Sequence, residues 1–192
     1  MNIEKLKSIL DKGKIDHSNE INKLTTLKTA CVYCLLNNIS SQSFGVLLEN
    51  YIIAKYSYKR NASTICCGDF KKNDENYELK VSLGGSSFNK FNFVQLRLNH
   101  SIEKYLLVAY YLSNDNLNEE GELFIFKLSK QDMIVLIASY GNYAHGTKKN
   151  NGEITILGLN DSKNKFEYSV RCKYGDACWK DLLQYRINED ML

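Results

Sequence analysis

Gly68-Asp69-Phe70, followed after a polar stretch by Tyr77-Glu78-Leu79-Lys80, decides the fold. Asp69 ends the apolar run Ser63-Thr-Ile-Cys-Cys-Gly68, and Glu78 and Lys80 sit in a second run, Tyr77–Ser82. The polar turn Lys71-Lys-Asn-Asp-Glu-Asn76 joins them, which predicts a β-hairpin. Residues two apart on a strand share a face, so Glu78 and Lys80 point one way and Tyr77, Leu79 and Val81 the other. Asp69, at the end of the first strand, comes beside Glu78 in a suitable register. Two carboxylates and one ammonium then meet at a corner of a sheet. Hard cations such as Mg²⁺ take a few carboxylate oxygens together with water and phosphate. Such an ion activates water and stabilises a phosphoryl transition state. The plain alternative is a solvated strand face on which Glu78 and Lys80 pair.

Upstream of this hairpin, Ile3, Leu6, Ile9 and Leu10 recur at helical spacing, and Gly13 breaks the pattern. A second helix is expected over 18–36, with Ile21, Leu24, Leu27, Cys31, Cys34 and Leu35 on one side. A third, Phe44 to about Tyr56, is markedly apolar and carries Glu49 among Val46, Ile52 and Ile53. A buried carboxylate is costly unless paired or metal-bound. Glu49 is therefore either in a salt bridge to a lysine or a third acidic group aimed at the Asp69/Glu78 corner.

Downstream, Leu83-Gly-Gly-Ser-Ser-Phe88 is a connection. Residues 90–100 fit both periods. A helix is chosen because Lys104–Leu112 reads as a buried strand, and a strand–helix–strand crossover makes a parallel pair. On a helix, Gln95 faces inward, near water, metal or phosphate. Glu122–Lys127 reads as a strand, Ser129 to Asp132 as a capping box opening a helix over 133–138, and 153–159 and 166–171 as strands. Asp176 caps a last helix with Trp179, Leu182 and Leu183. Residues 140–152 form a basic, aromatic-bearing loop that is either solvated or laid along DNA, with Lys148 and Lys149 on phosphates and Asn150 or Asn151 near base edges.

Composition sets outer bounds. The chain has 192 residues, 44% hydrophobic and 24% charged, which fits one soluble globular domain able to bury a sizeable core. A net charge of +3 permits a nucleic-acid partner without demanding one. Nothing approaches the about 20 apolar residues of a membrane span. The opening Met1-Asn-Ile-Glu-Lys-Leu-Lys7 lacks a signal-peptide core, so a cytoplasmic protein is expected. Six cysteines fit that compartment as buried thiols. A zinc site pairing Cys31/Cys34 with Cys172/Cys178, or a redox protein built on Cys31/Cys34, is the competing possibility.

The order of these parts resembles the core of the PD-(D/E)xK nuclease superfamily, and most closely its type II restriction endonucleases. The residues that carry the resemblance are Glu49, Gly68-Asp69, Glu78-Leu79-Lys80 and Gln95-Leu-Arg97, over roughly 44–112. Gly68 stands where proline is usual. The resemblance implies an α/β fold with a restriction-endonuclease-like core, in which a mixed central β-sheet is flanked by helices. A helical N-terminal segment (1–40), a catalytic core (44–112) and completing strands and helix (113–192) would form a single nuclease domain. It implies Mg²⁺-dependent hydrolysis of double-stranded DNA, with Mn²⁺ able to substitute, in a bacterial cytoplasm. Asp69 and Glu78 would hold the metal with the carbonyl of Leu79, Lys80 would orient or activate the water, and Glu49 and Gln95 would complete the catalytic set. No base-reading module is evident, so the chain resembles the small cleavage subunit of a heterodimeric type IIS enzyme, whose larger partner reads the site. A self-sufficient homodimeric restriction enzyme is the rival. A DNA-binding or assembly protein that keeps the fold without cleaving also stays open.

Overall fold

The centre of the molecule is the strand Lys104–Tyr111, whose residues 105–110 are all buried. In the computed structural model, which describes residues 3–4, 16–62, 66–84, 89–112 and 121–192, this strand is covered on both faces. Tyr105, Leu107 and Ala109 join one apolar cluster, and Leu106, Val108 and Tyr110 join another. A strand buried on both sides reads as a continuous apolar run instead of an alternating one.

In chain order the helices are α1 (His17–Ile21), α2 (Leu27–Leu36), α3 (Ser41–Lys55), α4 (Lys130–Tyr140), α5 (Lys148–Asn151), α6 (Ile156–Leu159) and α7 (Ala177–Leu183). The strands are β1 (Lys59–Arg60), β2 (Phe70–Lys72), β3 (Glu75–Ser82), β4 (Lys90–Arg97), β5 (Lys104–Tyr111), β6 (Glu122–Ser129), β7 (Gly141–Tyr143), β8 (Glu167–Lys173) and β9 (Arg186–Ile187). Six strands form a mixed sheet in the order β1-β2-β3-β5-β6-β9, and β4-β8-β7 form a second, antiparallel sheet. Within the large sheet β3 and β5 run parallel and the other pairs antiparallel. Helices α1–α3 cover one face of it through Ile21, Leu27, Cys31, Leu48, Tyr51 and Ile52. The small sheet and helices α4 and α7 cover the other, where Trp179 packs on Phe91, Phe124 and Phe126. The molecule is thus a mixed α/β structure with a mixed central sheet flanked by helices.

Several expectations change. The hairpin is present, but its turn is only Asn73-Asp74, both left-handed at φ 51° and 63°, the two-residue turn that matches strand twist. Asp69 therefore lies just before β2 instead of ending an earlier strand; residues 63–65 of that expected strand lie outside the described residues. The single helix over 18–36 is two. Asp16 caps α1 by accepting from the backbone of Ser18 and Asn19, and Thr26 with Thr29 forms the capping box that starts α2. The helical pattern of Ile3 to Leu10 falls almost wholly outside the described residues.

Residues 90–97 form a strand, not a helix. The parallel β3/β5 pair does need a crossover, but the chain makes it by leaving the large sheet to pair β4 with β8. Phe91, Phe93 and Leu96 bury themselves from that second sheet, which a helix stripe would not have allowed. Residues 156–159 are helical because the Thr155 side chain accepts from Gly158 N, and 140–152 contains β7 and α5 instead of a plain loop. The Ser129/Asp132 capping box and the Asp176 cap stand as expected. Among the described residues no helix is long and apolar enough to cross a membrane.

Candidate active site

The hairpin register builds the site. Phe70 pairs with Tyr77, so Asp69, one residue earlier, stands opposite Glu78. Asp69 N donates to Tyr77 O at 2.7 Å. Beyond this point β2 has ended, and the side chain of Asp69 takes the place of a strand partner: its Oδ2 accepts from Leu79 N at 2.7 Å. The N–H and C=O of a strand residue face the same neighbour. The carbonyl of Leu79 is accordingly turned to the edge where Asp69 lies.

Gly68 makes this entry possible. Its φ is +71°, and a Cβ there would meet Tyr77 O at 2.5 Å. Proline, fixed near −65°, does not take this conformation. A proline at position 68 would therefore need a different backbone path into Asp69.

Glu78 and Lys80 share the face of β3 turned toward the small sheet, as the alternation predicted, while Tyr77 and Leu79 enter the helix-covered core. Glu78 is 6% exposed, and its Oε1 lies 2.5 Å from Lys80 Nζ. Tyr105, paired with Glu78 on β5, donates its hydroxyl to Arg97 O; burial, and Glu78 after it, push that phenol well up. Burial, and then the charge of Glu78, push the Asp69 carboxyl up to about 6, against the opposing pull of Lys80, the Leu79 N–H and Arg60.

Glu49, on α3, is half-buried and joins this group electrostatically. Burial, and next the charge of Asp69, raise its carboxyl above the ordinary value, and Arg60 and Lys80 oppose the rise. Arg60 Nη1 holds Glu49 Oε1 at 2.7 Å, and its other nitrogen bonds Asn50 Oδ1. Glu49 is thus in a salt bridge, though to Arg60 and not to a lysine as expected, while the charge of Asp69 also acts on it. Arg60 comes from β1, whose register sets it opposite Phe70, next to Asp69. A two-residue strand leaves no periodic signal, so nothing in the sequence pointed to Arg60.

Gln95 is not part of this corner. It stands on β4 at a register shift between Phe93 and Leu96, left-handed at φ 57° and exposed. With Ser82, Asn92 and His145 it lines a cleft of about 770 Å³. Arg97, from the same stretch, pairs with Glu167 on β8 at 2.6 Å. His100, shortly after β4, is half-buried. Its imidazole is held below the ordinary value by burial, then by the charges of Arg97 and Lys130, against an opposing pull from Glu167. Asn151 is used internally, its amide donating to His145 O and its carbonyl accepting from Tyr143.

The cysteines form no four-ligand set. Cys31 and Cys34 lie in the core under the helices, and Cys172 and Cys178 in the core on the other side of the large sheet. Burial pushes Cys34 up to about 11 and Cys31 well up, the opposite of a reactive thiol.

Among the described residues no group of three or more His, Cys, Asp and Glu side chains is gathered as metal ligands. Zinc or calcium cages are poorly served by this arrangement. Mg²⁺ makes a smaller demand, one or two carboxylates completed by water and substrate phosphate. Asp69 and Glu78, repelling each other at a partly open sheet edge, fit that demand. The chain matches no protein-family model, no curated protein and no solved structure.

Proposed function

We propose that this chain is a Mg²⁺-dependent DNA endonuclease with a restriction-endonuclease-like core. The observation that carries the reading is the Asp69–Glu78 pair, set opposite each other by the hairpin register with Lys80 on the same face. The Asp69 carboxyl is pushed up to about 6 by burial and then by the charge of Glu78. Residues with environments that shift their protonation so strongly cluster at functional sites.

In this reading Asp69 and Glu78 would hold Mg²⁺ (or Mn²⁺), with the Leu79 carbonyl facing the same edge. Such an ion would supply an activated water and neutralise charge on the phosphate. Lys80, paired with Glu78 on the same face, would orient the attacking water. Glu49 completes the negative field, with Arg60 limiting its repulsion.

A second reading has its own support. Each carboxylate already has a partner within the chain, Leu79 N for Asp69 and Lys80 for Glu78. The same corner thus also suits a non-cleaving DNA-binding protein of this fold. Plasmid cleavage with Mg²⁺, first by the purified chain and then with proteins encoded beside it, separates the cases. Discrete fragments from the chain alone support a self-sufficient, homodimeric restriction enzyme. Cutting only with a neighbour supports a cleavage subunit served by a larger recognition subunit. No cutting in either case, with no Mg²⁺ binding by calorimetry, refutes the nuclease reading.

A further inference from the structure

The small sheet has a face that the core does not use. On β4, Phe91, Phe93 and Leu96 point into the apolar cluster, as do Tyr168, Val170 and Cys172 on β8. The opposite face carries Lys90, Asn92 and Gln95 from β4 and Arg171 and Lys173 from β8. Register pairs Lys90 with Lys173 and Asn92 with Arg171, so the three cations lie together with an amide among them. Two carboxylates border them: Asp176 is committed to backbone N–H groups of Lys173 and Trp179, both at 2.8 Å, and Glu167, on the same face of β8, is paired with Arg97 at 2.6 Å.

Gln95 is the strained member. A register shift lets consecutive residues Val94 and Gln95 both face outward, at the cost of a left-handed glutamine. Bulges that re-aim a side chain are concentrated near active sites. A non-glycine residue at positive φ persists where something else requires it. Among the described residues neither the Asn92 nor the Gln95 side-chain amide has a hydrogen-bond partner. Both line the cleft of about 770 Å³, to which the start of α3, Ser41 and Gln42, also contributes. Asn92 N donates to Ser82 Oγ at 3.0 Å. Ser82 lies two residues beyond Lys80, about 7 Å along the strand. The face therefore adjoins the carboxylate corner.

We infer that this face is a base-reading surface for duplex DNA, with Asn92 and Gln95 on base edges and Lys90, Arg171 and Lys173 on phosphates. It deepens the nuclease reading in that it presumes a DNA-acting chain, although it does not require cleavage. Asparagine and glutamine amides pair in two-point fashion with adenine, and the major groove admits a β-ribbon. Duplex RNA presents a groove too deep and narrow for this approach. The inference moves Gln95 from chemistry to recognition, and it assigns recognition to this chain itself.

The test reads binding without hydrolysis, in EDTA, by selection from a randomised DNA duplex library followed by titration. Wild type is expected to enrich a short common sequence. Gln95→Ala and Asn92→Ala should each weaken binding to that sequence about 5- to 150-fold and leave binding to unselected duplex unchanged. Alanine keeps the Cβ, so the left-handed backbone of position 95 is not relieved. Arg171→Gln should weaken both and lower the salt dependence by about one phosphate contact. No duplex binding, no enrichment, unchanged preference in both amide variants, or equal binding to an RNA duplex of the same sequence overturns the inference. The two proposals fail separately. Cleavage lost on changing Asp69 or Glu78, with preference unmoved by Gln95→Ala, removes only the reading face. Shifted preference in a chain that cuts under no cation removes only the nuclease.

Discussion

Replacing Asp69 by asparagine is expected to stabilise the fold while abolishing cleavage. The carboxamide oxygen still accepts from Leu79 N, the bond that Oδ2 makes at 2.7 Å, so the end of the hairpin keeps its closure. What disappears is a buried negative charge opposite Glu78. Asp69 titrates at about 6 in the folded chain against an ordinary 3.8. Between those values the folded chain holds a proton that the unfolded chain has released. Stability therefore falls as pH rises through this window, and the cost is fully present above it. At about 1.4 kcal/mol for each factor of ten, the ionised carboxylate costs about 3 kcal/mol at pH 8, an upper bound on the gain. A realised gain of about 1–3 kcal/mol would raise Tm by about 2–12 °C in a domain of this length. The assay is urea or thermal unfolding of both proteins in EDTA at pH 8 and again near pH 4, where the difference should shrink toward zero. Mg²⁺ at about 100 times its Kd should then stabilise the wild type by about 2.7 kcal/mol and the variant far less. An Asp69→Asn protein no more stable than wild type at pH 8, or equally stabilised at both pH values, refutes the account of the corner.

Other perturbations are smaller in scope. Lys80→Ala and Glu78→Ala should both abolish plasmid cleavage with circular dichroism unchanged; full activity in both removes the site assignment. Lys80→Ala should also cost about 1–3 kcal/mol in urea unfolding, because it leaves Glu78 buried without its cation. Glu49→Gln should reduce cleavage more mildly, since Arg60 already offsets that carboxylate, and a complete loss would place Glu49 among the essential ligands. Gly68→Ala should lower stability by about 2 kcal/mol or more, since the added Cβ meets backbone at 2.5 Å and a left-handed alanine is itself strained; an unfolding midpoint equal to wild type would contradict the described path into Asp69.

What the sequence made legible is what local pattern encodes. The alternation of Tyr77–Ser82 placed Glu78 and Lys80 on one face, and the apolar run from Lys104 announced a strand buried on both sides. Capping chemistry at Ser129 and Asp176 marked helix starts correctly. The failure at 90–97 has a physical cause. Phe91, Val94 and Leu98 satisfy a helical stripe only because a bulge interrupts the strand period between Phe93 and Leu96. A bulge adds one residue to a period of two and makes a strand imitate a helix over a single turn. That misreading also carried Gln95 to the wrong part of the molecule. Thr155 worked in the opposite sense: β-branched residues around it suggested a strand, and its side-chain cap on Gly158 N made a helical turn. Arg60 and the Arg97–Glu167 pair depend on register between distant segments, which no window of sequence contains.

Three local departures from good folding practice lie close together. Asp69 is ionised at a cost, Glu78 is a carboxylate 6% exposed, and Gln95 is a left-handed glutamine on a strand. Each has a cheaper substitute that the fold would accept: asparagine at 69, an apolar residue at 78, glycine or asparagine at 95. None of the three contributes to either apolar cluster, so packing does not explain their presence. They are joined instead by position. Asp69 and Glu78 meet across the hairpin, and Ser82, at the end of the same strand β3, bonds the backbone of Asn92, three residues before Gln95. Sequences that specify a structure well at every level tend to break local rules only where function requires it. Costs met along β3 and the adjoining stretch of β4 are therefore the physical signature that makes this corner the place to look for chemistry, and the neighbouring sheet face, open to the cleft, the place to look for its substrate.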